Sequence, residues 1–506
     1  MIAPSADVSC TGERSRHAAT ISMLSDDVLL EIFDFCKKDQ DSEPEDLFLI
    51  FPGMWGWHIL VHVCQKWRRV VYASPLRLDL QLLCTYKTPV RRNLDIWPTL
   101  PISIQYLHHH PGSHHTRDID EVEVIAALKH HDRVSTVRLR GVTGPQLRKI
   151  IAVTQEPLPA LTNLELSDDK SNVRVPVLPS EFLGGSAPCL RRIKLYGIPF
   201  PALPTLLLST GNLVTLVLSN IPQAGYIPPE DMVVALATLT RLRGLQIEFK
   251  SPASRPSRIC PPPVTRTVLP ALTNFTFLGV REYLEDFIAR IDAPRLADIF
   301  TRYFNQLIDF EVPRLGQFIE RSDLDRPTRC SLEFGKTSVC FVAGRSHTYH
   351  FPPSKPSNFL CPCMYVRIRC EGIDWQVSRI SQALDHIYPV LSNVAHIKID
   401  FSSSSLELED MDDIEWLQLL RSFSSVQTLI VSGPFSGHVS RALEDWDTHG
   451  GMGTEVLPAL KMLCLEGQPV SSIHKFIAAR SESGRPVTTI NTREAFEERL
   501  RSYQNY

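Results

Sequence analysis

Residues 161–166 read Leu161-Thr162-Asn163-Leu164-Glu165-Leu166, with leucine at the first, fourth and sixth positions. Alternation over the last three residues is typical of a strand that buries one face. The same spacing recurs every 23 to 30 residues, at Val134-Val137-Leu139, Leu161-Leu164-Leu166, Leu190-Ile193-Leu195, Leu213-Leu216-Leu218, Leu242-Leu245-Ile247 and Leu272-Phe275-Phe277. A period of about 20 to 29 residues or slightly more indicates a repeat array, in which each unit buries its apolar residues against its neighbours.

Helical spacing fills the intervals between these copies. Pro229-Glu230-Asp231 predicts a helix start, since proline suits the first helical position and acidic residues suit the first turn. The predicted helices are Glu121–Leu128, Gln146–Ile151, Met232–Leu239, Glu282–Ile291 and Ile414–Leu420. Further copies of the strand pattern follow at Val394-Ile397-Ile399, Val426-Leu429-Val431 and Leu460-Leu463-Leu465. A unit of helix, turn and short strand predicts an α/β fold with parallel strands, whose spacer residues face the concave side or the turns.

This pattern resembles the leucine-rich repeat. The resemblance implies an irregular solenoid, because the Asn or Cys that usually follows the strand is replaced by Asp169, Ile198, Ile221 and Lys250. A sandwich or an ordinary α/β domain is the alternative. Between residues 302 and 391 the period is lost, and Ser331–Val342 and Met364–Cys370 are predicted as strands. We also predict irregular loops at 251–263 and 346–363, and a terminal helix over 491–503.

Two amphipathic segments near the N-terminus stand apart from the repeats. Leu24–Phe33 has apolar residues on one helical face, Ser25 as a predicted N-cap and two aspartates in its first turn. Leu60–Val70 repeats an apolar residue at spacings of three and four, which predicts a second helix. Two such faces need to pack on each other and on something else.

These two segments resemble the F-box, the helical module by which substrate adaptors dock on the Skp1 subunit of cullin-RING ubiquitin ligases. The matching residues are Leu24-Ser25, Asp26-Asp27, Leu29-Leu30-Glu31-Ile32-Phe33 and Leu60-Val61-His62-Val63-Cys64-Gln65-Lys66-Trp67-Arg68. Ser25 replaces the usual proline, and the Lys37–Gly56 segment between the helices is longer than usual and acidic. The resemblance implies a core and Skp1-binding face formed by Leu24, Leu29, Leu30, Ile32, Phe33, Leu60, Val63 and Trp67. The alternative is that both helices are simply the core of a small bundle.

Composition restricts the function further. A formal net charge of −3 on 506 residues, with 43% hydrophobic residues, predicts folded domains without a general attraction to nucleic acid or to anionic membranes. We expect a disordered tail over 1–20, an F-box domain over 21–85, a linker over 86–117 and a repeat region over 118–506. The 12 cysteines, in a chain whose N-terminus does not resemble a secretory signal, indicate a reducing cytoplasmic or nuclear setting.

Candidate chemical sites are few. Cys361, Cys363 and Cys370 with His350 form the best zinc candidate, but no paired C-x-x-C knuckle is present. Gly335-Lys336-Thr337 ends like a phosphate-binding loop, yet Cys330 stands where its first glycine belongs. We therefore predict no catalytic site, no cofactor and no metal.

The sequence favours a non-catalytic substrate adaptor of an SCF-type (Skp1-cullin-F-box) ubiquitin ligase. The expected partners are a Skp1-like protein, through it a cullin, and an unknown protein substrate held by the repeats; neither nucleic acid nor a membrane is expected. The alternative is a repeat scaffold with no ligase role. A metalloenzyme is the least supported class.

Overall fold

The computed structural model describes most of the chain from residue 24 to residue 490. The described segments are 24–38, 58–74, 81–85, 91, 94, 100–107, 120–168, 175–253, 265–304, 310–344, 362–370, 373–401, 413–432, 435–444, 456–465 and 473–490. The predicted tail, most of the predicted loops at 37–56 and 346–363, and the predicted helix at 491–503 lie outside these segments.

Within the described segments, one open sheet of 16 strands dominates, and a second sheet has two strands. The strands are β1 (Leu82–Cys84), β2 (Ile102–Leu107), β3 (Val134–Val142), β4 (Asn163–Asp168), β5 (Arg192–Tyr196), β6 (Thr215–Ile221), β7 (Gly244–Phe249), β8 (Thr267–Val268), β9 (Asn274–Gly279), β10 (Ile291–Asp292), β11 (Asp298–Tyr303), β12 (Arg329–Phe334), β13 (Ser338–Gly344), β14 (Pro362–Arg369), β15 (His396–Phe401), β16 (Thr428–Val431), β17 (Met462–Leu465) and β18 (Thr488–Ile490). In the large sheet their order is β1-β2-β3-β4-β5-β6-β7-β9-β11-β14-β13-β12-β15-β16-β17-β18. The prediction of an α/β fold is confirmed, and the large sheet is mostly parallel, with only β13 antiparallel to its neighbours.

Thirteen helices lie in the described part of the chain. They are α1 (Asp26–Lys38), α2 (His58–Val63), α3 (Gln65–Ala73), α4 (Glu121–Leu128), α5 (Gly144–Val153), α6 (Leu203–Leu207), α7 (Pro229–Leu236), α8 (Arg281–Ile288), α9 (Pro313–Glu320), α10 (Ile373–Leu391), α11 (Asp413–Arg421), α12 (Phe435–Glu444) and α13 (His474–Glu482). From α4 onward each helix connects parallel strands that step in one direction across the sheet. Since such crossovers are right-handed, these helices share one face of the sheet.

A recurring turn precedes each strand of the repeat. In the copies from Leu161 onward, the first apolar residue lies in this turn, where its amide donates to the carbonyl three residues earlier, as from Leu161 to Leu158 at 3.0 Å. In the first copy, Val134 is already the first residue of β3. The next amide then donates to the preceding unit, as from Thr162 to Ser135 at 2.8 Å. Equivalent bonds join successive units, at Arg191 to Thr162, Val214 to Arg191, Arg243 to Val214, Thr273 to Arg243, Ala297 to Thr273, Gln427 to Ala395, Lys461 to Gln427 and Thr488 to Lys461. Backbone groups thus join these neighbouring units where their strands begin.

The sheet reverses its order once. The chain passes from β11 beyond two strand positions to β12, returns through antiparallel β13, and reaches β14, which pairs with β11. The predicted strand Ser331–Val342 is therefore wrong as one element, because it spans a hairpin that turns at Gly335–Thr337. There the Gly335 amide donates to the Ser338 carbonyl at 2.9 Å. The side chain of Gln376, on α10, supports the turn by donating to the Gly335 carbonyl at 2.8 Å.

Several predicted boundaries differ from the structure. The sheet begins with β1 and β2, before residue 118, so the range 86–117 contains a strand and is not only a linker. Helices α7 and α8 end three residues before the predicted ends at Leu239 and Ile291. Leu239 instead donates its amide to Leu236 in the turn that leads to Leu242, and Ile291 begins β10. Apolar spacing continues through these turns, which is why it did not show where the helices end.

The core is one contiguous apolar cluster that runs from α1 to the residue before β18. Aromatic side chains fill its middle, where the ring centroids of Phe249 and Tyr283 lie 4.7 Å apart. The Tyr283 hydroxyl donates to the Ile227 carbonyl at 3.1 Å. Of the described cysteines, Cys84, Cys330, Cys363, Cys370 and Cys464 are buried, whereas Cys64 and Cys189 are exposed. None of the described helices is long and apolar enough to cross a membrane.

Gly316 on α9 lies where this helix closely approaches α10. A Cβ atom at this position would lie 2.0 Å from the His386 carbonyl oxygen of α10, which is backbone and has no rotamer that avoids the contact. In a helix interior, alanine is normally more stabilising than glycine by roughly 0.5–1 kcal/mol. We predict that Gly316→Ala is instead destabilising, and that it lowers the free energy of unfolding by at least about 2 kcal/mol.

Chemical denaturation measures this change. Gly211→Ala is the matched control, because no atom lies within 4 Å of a Cβ atom there. Equal stability of the two variants would contradict the close approach of α9 and α10.

The side chain of Glu285 on α8 forms hydrogen bonds with the first turn of α9. Its carboxylate accepts the Arg314 and Leu315 amides at 2.9 and 3.0 Å, yet burial raises its pKa from 4.5 to about 7. A raised carboxyl pKa favours the folded state below pH 4.5, and this contribution is lost as the pH rises through 7. We predict that the stability of Glu285→Gln relative to the wild type increases between pH 5 and pH 8, by up to about 3 kcal/mol.

The Tm of both proteins at the two pH values measures this shift. Glu320→Gln, at the exposed end of the same α9, provides the control. A Glu285→Gln difference that does not change with pH would exclude the proposed titration.

Candidate functional site

The first candidate site is the helical segment formed by α1, α2 and α3. Helix α1 begins as predicted: the Val28 amide donates to the Ser25 hydroxyl at 3.3 Å, and the Leu29 amide donates to the Ser25 carbonyl at 3.1 Å. Asp26 lies in the first turn and approaches Lys66 and Arg69 of α3 at 3.9 and 3.6 Å. Lys66 also donates to the Leu24 carbonyl. The start of α1 is therefore tied to α3 by charge as well as by packing.

The second predicted helix is wrong as a single element. Leu60–Val70 is divided between α2 and α3 at Cys64, whose backbone is extended with φ −159° and ψ 171°. The Trp67 amide donates to the Cys64 sulfur at 3.5 Å, so the cysteine caps α3. Arg68 bridges the break by donating to the Val61 carbonyl at 2.9 Å. Apolar spacing continues across the break, and the sequence therefore did not reveal it.

The predicted site residues divide into inward and outward groups. Leu29, Leu30 and Phe33 are buried, and the Phe33 ring meets Trp67 edge to face at 4.8 Å. Leu24, Leu60 and Trp67 are partly buried against the same core. Two predicted residues point outward: Ile32 is 36% exposed and Val63 is 51% exposed.

The outward group includes two residues that were not among the predicted site residues, Val28 and Tyr72. Val28 is 44% exposed and precedes Ile32 by one helical turn, so the two share a face of α1. Tyr72 of α3 is also exposed, at 37%. Helices α1 to α3 thus carry apolar side chains on both faces, one toward the core and one toward solvent. The spacing in the sequence contained both faces, but could not separate them.

The second candidate site is the sheet surface opposite the helices, which we call the open face. On β4, Leu164 and Leu166 point into the core, so Asn163, Glu165 and Ser167 point to the open face. Glu165 is nonetheless only 5% exposed and receives a hydrogen bond from Arg140 of β3. The spacer residues therefore lie opposite the core, as predicted, but some of them are buried there.

Aromatic and charged side chains meet near the middle of the open face. Phe300 of β11 and Tyr365 of β14 are register neighbours with ring centroids 6.0 Å apart, and Arg302 and Arg367 are neighbours in the same two strands. Arg302 pairs with Glu248, while Arg367 donates to the Ser338 hydroxyl at 3.0 Å. The chain positions of these residues gave no sign that they meet, because β14 reaches β11 only through the reversed strand order.

Burial also changes the acidity of groups on this part of the open face. It raises the pKa of the Cys340 thiol and of the Tyr365 hydroxyl, which lie 3.5 Å apart. It raises the pKa of the Glu333 carboxyl too, with a smaller contribution from nearby Asp400. A thiol with a raised pKa is a poor nucleophile, so Cys340 fits a binding surface better than a reaction centre.

The weaker chemical candidates take structural places where they are described. The Cys363 thiol donates to the Asp325 and Ala343 carbonyls at 3.3 and 3.5 Å, and Cys370 is buried; Cys361 and His350 lie outside the described residues. Across the described segments, no group of three or more His, Cys, Asp or Glu side chains is placed to hold a metal ion. Gly335-Lys336-Thr337 is a hairpin turn between antiparallel strands, whereas a phosphate-binding loop joins a strand to a helix.

Comparison of the chain with protein-family models gave no match, and comparison with curated proteins gave none either. Function is therefore inferred from the residues and their geometry.

The division of α1 into two faces leads to a stability prediction. Phe33→Ala removes a buried ring that contacts Trp67, and we expect it to destabilise the helical segment by about 3 kcal/mol. Ile32→Ala removes an outward side chain and should change stability by less than about 0.5 kcal/mol.

Hydrogen exchange of the α1 and α3 amides measures both effects. The exchange rates in Phe33→Ala should rise together in the two helices and stay unchanged in β4. Similar protection in the two variants would contradict the assigned orientation of α1.

Proposed function

We propose that this protein is the substrate-recognition subunit of an SCF-type ubiquitin ligase, with α1 to α3 acting as an F-box and the sheet-and-helix array acting as a degenerate leucine-rich repeat region. One observation carries the proposal. In the segments that resemble the F-box, Leu29, Leu30 and Phe33 are buried while Val28, Ile32 and Val63 stay exposed. A helical pair that only served its own core would not need the outward apolar group.

An apolar partner surface explains this arrangement physically. Exposed apolar side chains grouped on one element of a soluble protein are typical of interaction sites. Asp27 and Glu31 flank Val28 and Ile32 on α1 and are exposed, so a polar rim borders the apolar contact. A Skp1-like protein is the partner that the F-box resemblance implies, and through it a cullin.

The repeat assignment rests on the units of turn, strand and helix. Successive copies of the apolar spacing begin with the same turn and are joined by the same backbone hydrogen bond. Their strands lie side by side in chain order on both sides of the reversed segment. This one-dimensional order is typical of solenoid proteins, which present an extended surface to a partner.

The proposed role is positional and requires no catalytic residue in this chain. Binding a target protein and a Skp1-like protein at once makes the meeting of target and ubiquitin-conjugating enzyme effectively intramolecular. This raises the effective concentration of target lysines by orders of magnitude. We expect this to occur in the cytoplasm or nucleus, where such ligases act.

A Skp1-binding experiment directly tests the proposed Skp1-binding surface of Val28, Ile32 and Val63. We predict that Val28→Asp/Ile32→Asp weakens binding of a purified Skp1 protein by at least about 100-fold, because two carboxylates would be desolvated against an apolar surface. The matched control is Leu208→Asp/Val234→Asp, which places the same charges at residues that are 54% and 65% exposed, directly after α6 and on α7. Calorimetric titration measures the Kd of each protein after circular dichroism has verified its fold.

The outcomes separate the adaptor from the scaffold alternative. A wild-type chain that does not bind Skp1, or a Val28→Asp/Ile32→Asp variant with the wild-type Kd, would refute the adaptor role. Partner capture by the full-length variant is preferable to a truncation near residue 110, because β2 belongs to the sheet. Retention of every cellular partner by the variant would favour a scaffold.

A further inference from the structure

The open face of β3, β4 and β5 carries an excess of positive charge. Arg138 and Arg140 of β3 and Arg192 and Lys194 of β5 alternate with buried core residues and so point to the open face. On β4, between these two strands, the only charged residue of the same surface at those register positions is Glu165. We call these five residues the basic band.

Glu165 cannot neutralise the band. It pairs with Arg140, and in register it lies directly between Arg138 on one side and Lys194 on the other. Within the described part of the chain, neither Arg138 nor Arg192 forms an ion pair through its guanidinium group. Because Glu165 is only 5% exposed, the side chains that reach solvent are the cationic ones.

The rest of the open face differs in its charge balance. Arg302 pairs with Glu248, Lys398 pairs with Asp400, and Arg367 lies near enough to Glu333 to lower the pKa of that carboxyl against the effect of burial. The whole chain has a formal net charge of −3. Arg329 of β12 and Arg369 of β14 also lie on the open face, but acidic residues such as Glu248 and Glu333 lie on the same part of the sheet. Across the described open face, the excess of positive charge is therefore largest at the basic band.

We propose that the basic band binds an acidic segment of the target protein. In register, Arg138 and Lys194 are two strands apart, which corresponds to about 10 Å at the usual strand spacing. An extended peptide advances about 3.3 Å per residue, so carboxylates three residues apart match that span. Arginine side chains bind carboxylates in a forked geometry, and an open sheet surface accommodates an extended chain.

Nucleic acid is the other polyanion that a basic surface attracts, and the band is poorly built for it. Single strands bind to grooves in which aromatic side chains stack on successive bases. Among the described open-face residues from β2 to β7, the only aromatic one is Tyr196. An acidic protein segment needs only the cations.

This inference deepens the proposed function, since it names the class of target segment, but its test does not require Skp1. The probe is a fluorescein-labelled peptide of about 12 residues with glutamate at every third position in a Gly-Ser background, and the reference is its glutamine counterpart. Anisotropy with the full chain measures both Kd values at low and at physiological salt. We expect the wild type to prefer the glutamate peptide by at least about tenfold, with the preference decreasing as salt screens the charges.

A pair of double variants places the binding on the band. Arg138→Gln/Arg192→Gln should raise the Kd for the glutamate peptide at least about tenfold. Arg148→Gln/Arg241→Gln removes the same charge from exposed residues of α5 and of the turn before β7, and should stay within about twofold of the wild type. Val28→Asp/Ile32→Asp should bind the peptide like the wild type.

Three results would overturn the inference: equal affinity for the glutamate and glutamine peptides, equal Kd values for the two arginine double variants, or tighter binding of an oligothymidylate than of the peptide. Failure of the proposed function has a different signature, which is peptide binding by the wild type without any Skp1 binding.

Discussion

The structure depends on one repeated backbone interaction, the hydrogen bond that joins most successive repeat units, from an amide at the start of a strand to the carbonyl of the preceding unit. Thr162 donates to Ser135, and Arg191 in turn donates to Thr162, at 2.8 and 2.7 Å. In several units the same carbonyl also accepts the following amide, as Thr162 does from Arg192 at 3.1 Å. Each unit thereby fixes the height and register of the next, and the apolar trio of that next unit is brought onto the same core.

Because this backbone hydrogen bond fixes the register, side chains in the turns do not have to do so. A ladder of Asn or Cys side chains after the strands is not needed to set the register, because backbone atoms already do so at the strand starts. Ile198 and Ile221, at the positions where the leucine-rich repeat pattern would have such residues, are buried and add apolar contact. Unit length can then vary between 23 and 30 residues without loss of parallel pairing.

The two candidate surfaces have the same origin, because each strand or helix that packs one side on the core leaves another side away from it. A strand has only two sides, so filling one with leucine, isoleucine and phenylalanine leaves the other for polar and charged side chains, as at Arg138, Glu165 and Lys194. The side chains of a helix are distributed around its axis, so the consecutive residues Ile32 and Phe33 of α1 point outward and inward. Both surfaces rest on one continuous core, which relates the proposed dock to the proposed recognition surface.

The sequence by itself determined the local elements and their periodicity. Helix α4 has its predicted bounds, Glu121–Leu128, because the Asp120 side chain accepts the Val122 and Glu123 amides and so marks its start in the sequence. The inward position of Leu164 and Leu166 likewise follows from alternation alone. Only the tertiary structure decided the break at Cys64, the return of β14 to β11 and the meeting of Arg302 with Glu248. Apolar spacing records which residues are buried, but not which distant strand or helix buries them, because strand pairing joins residues that are far apart in the sequence.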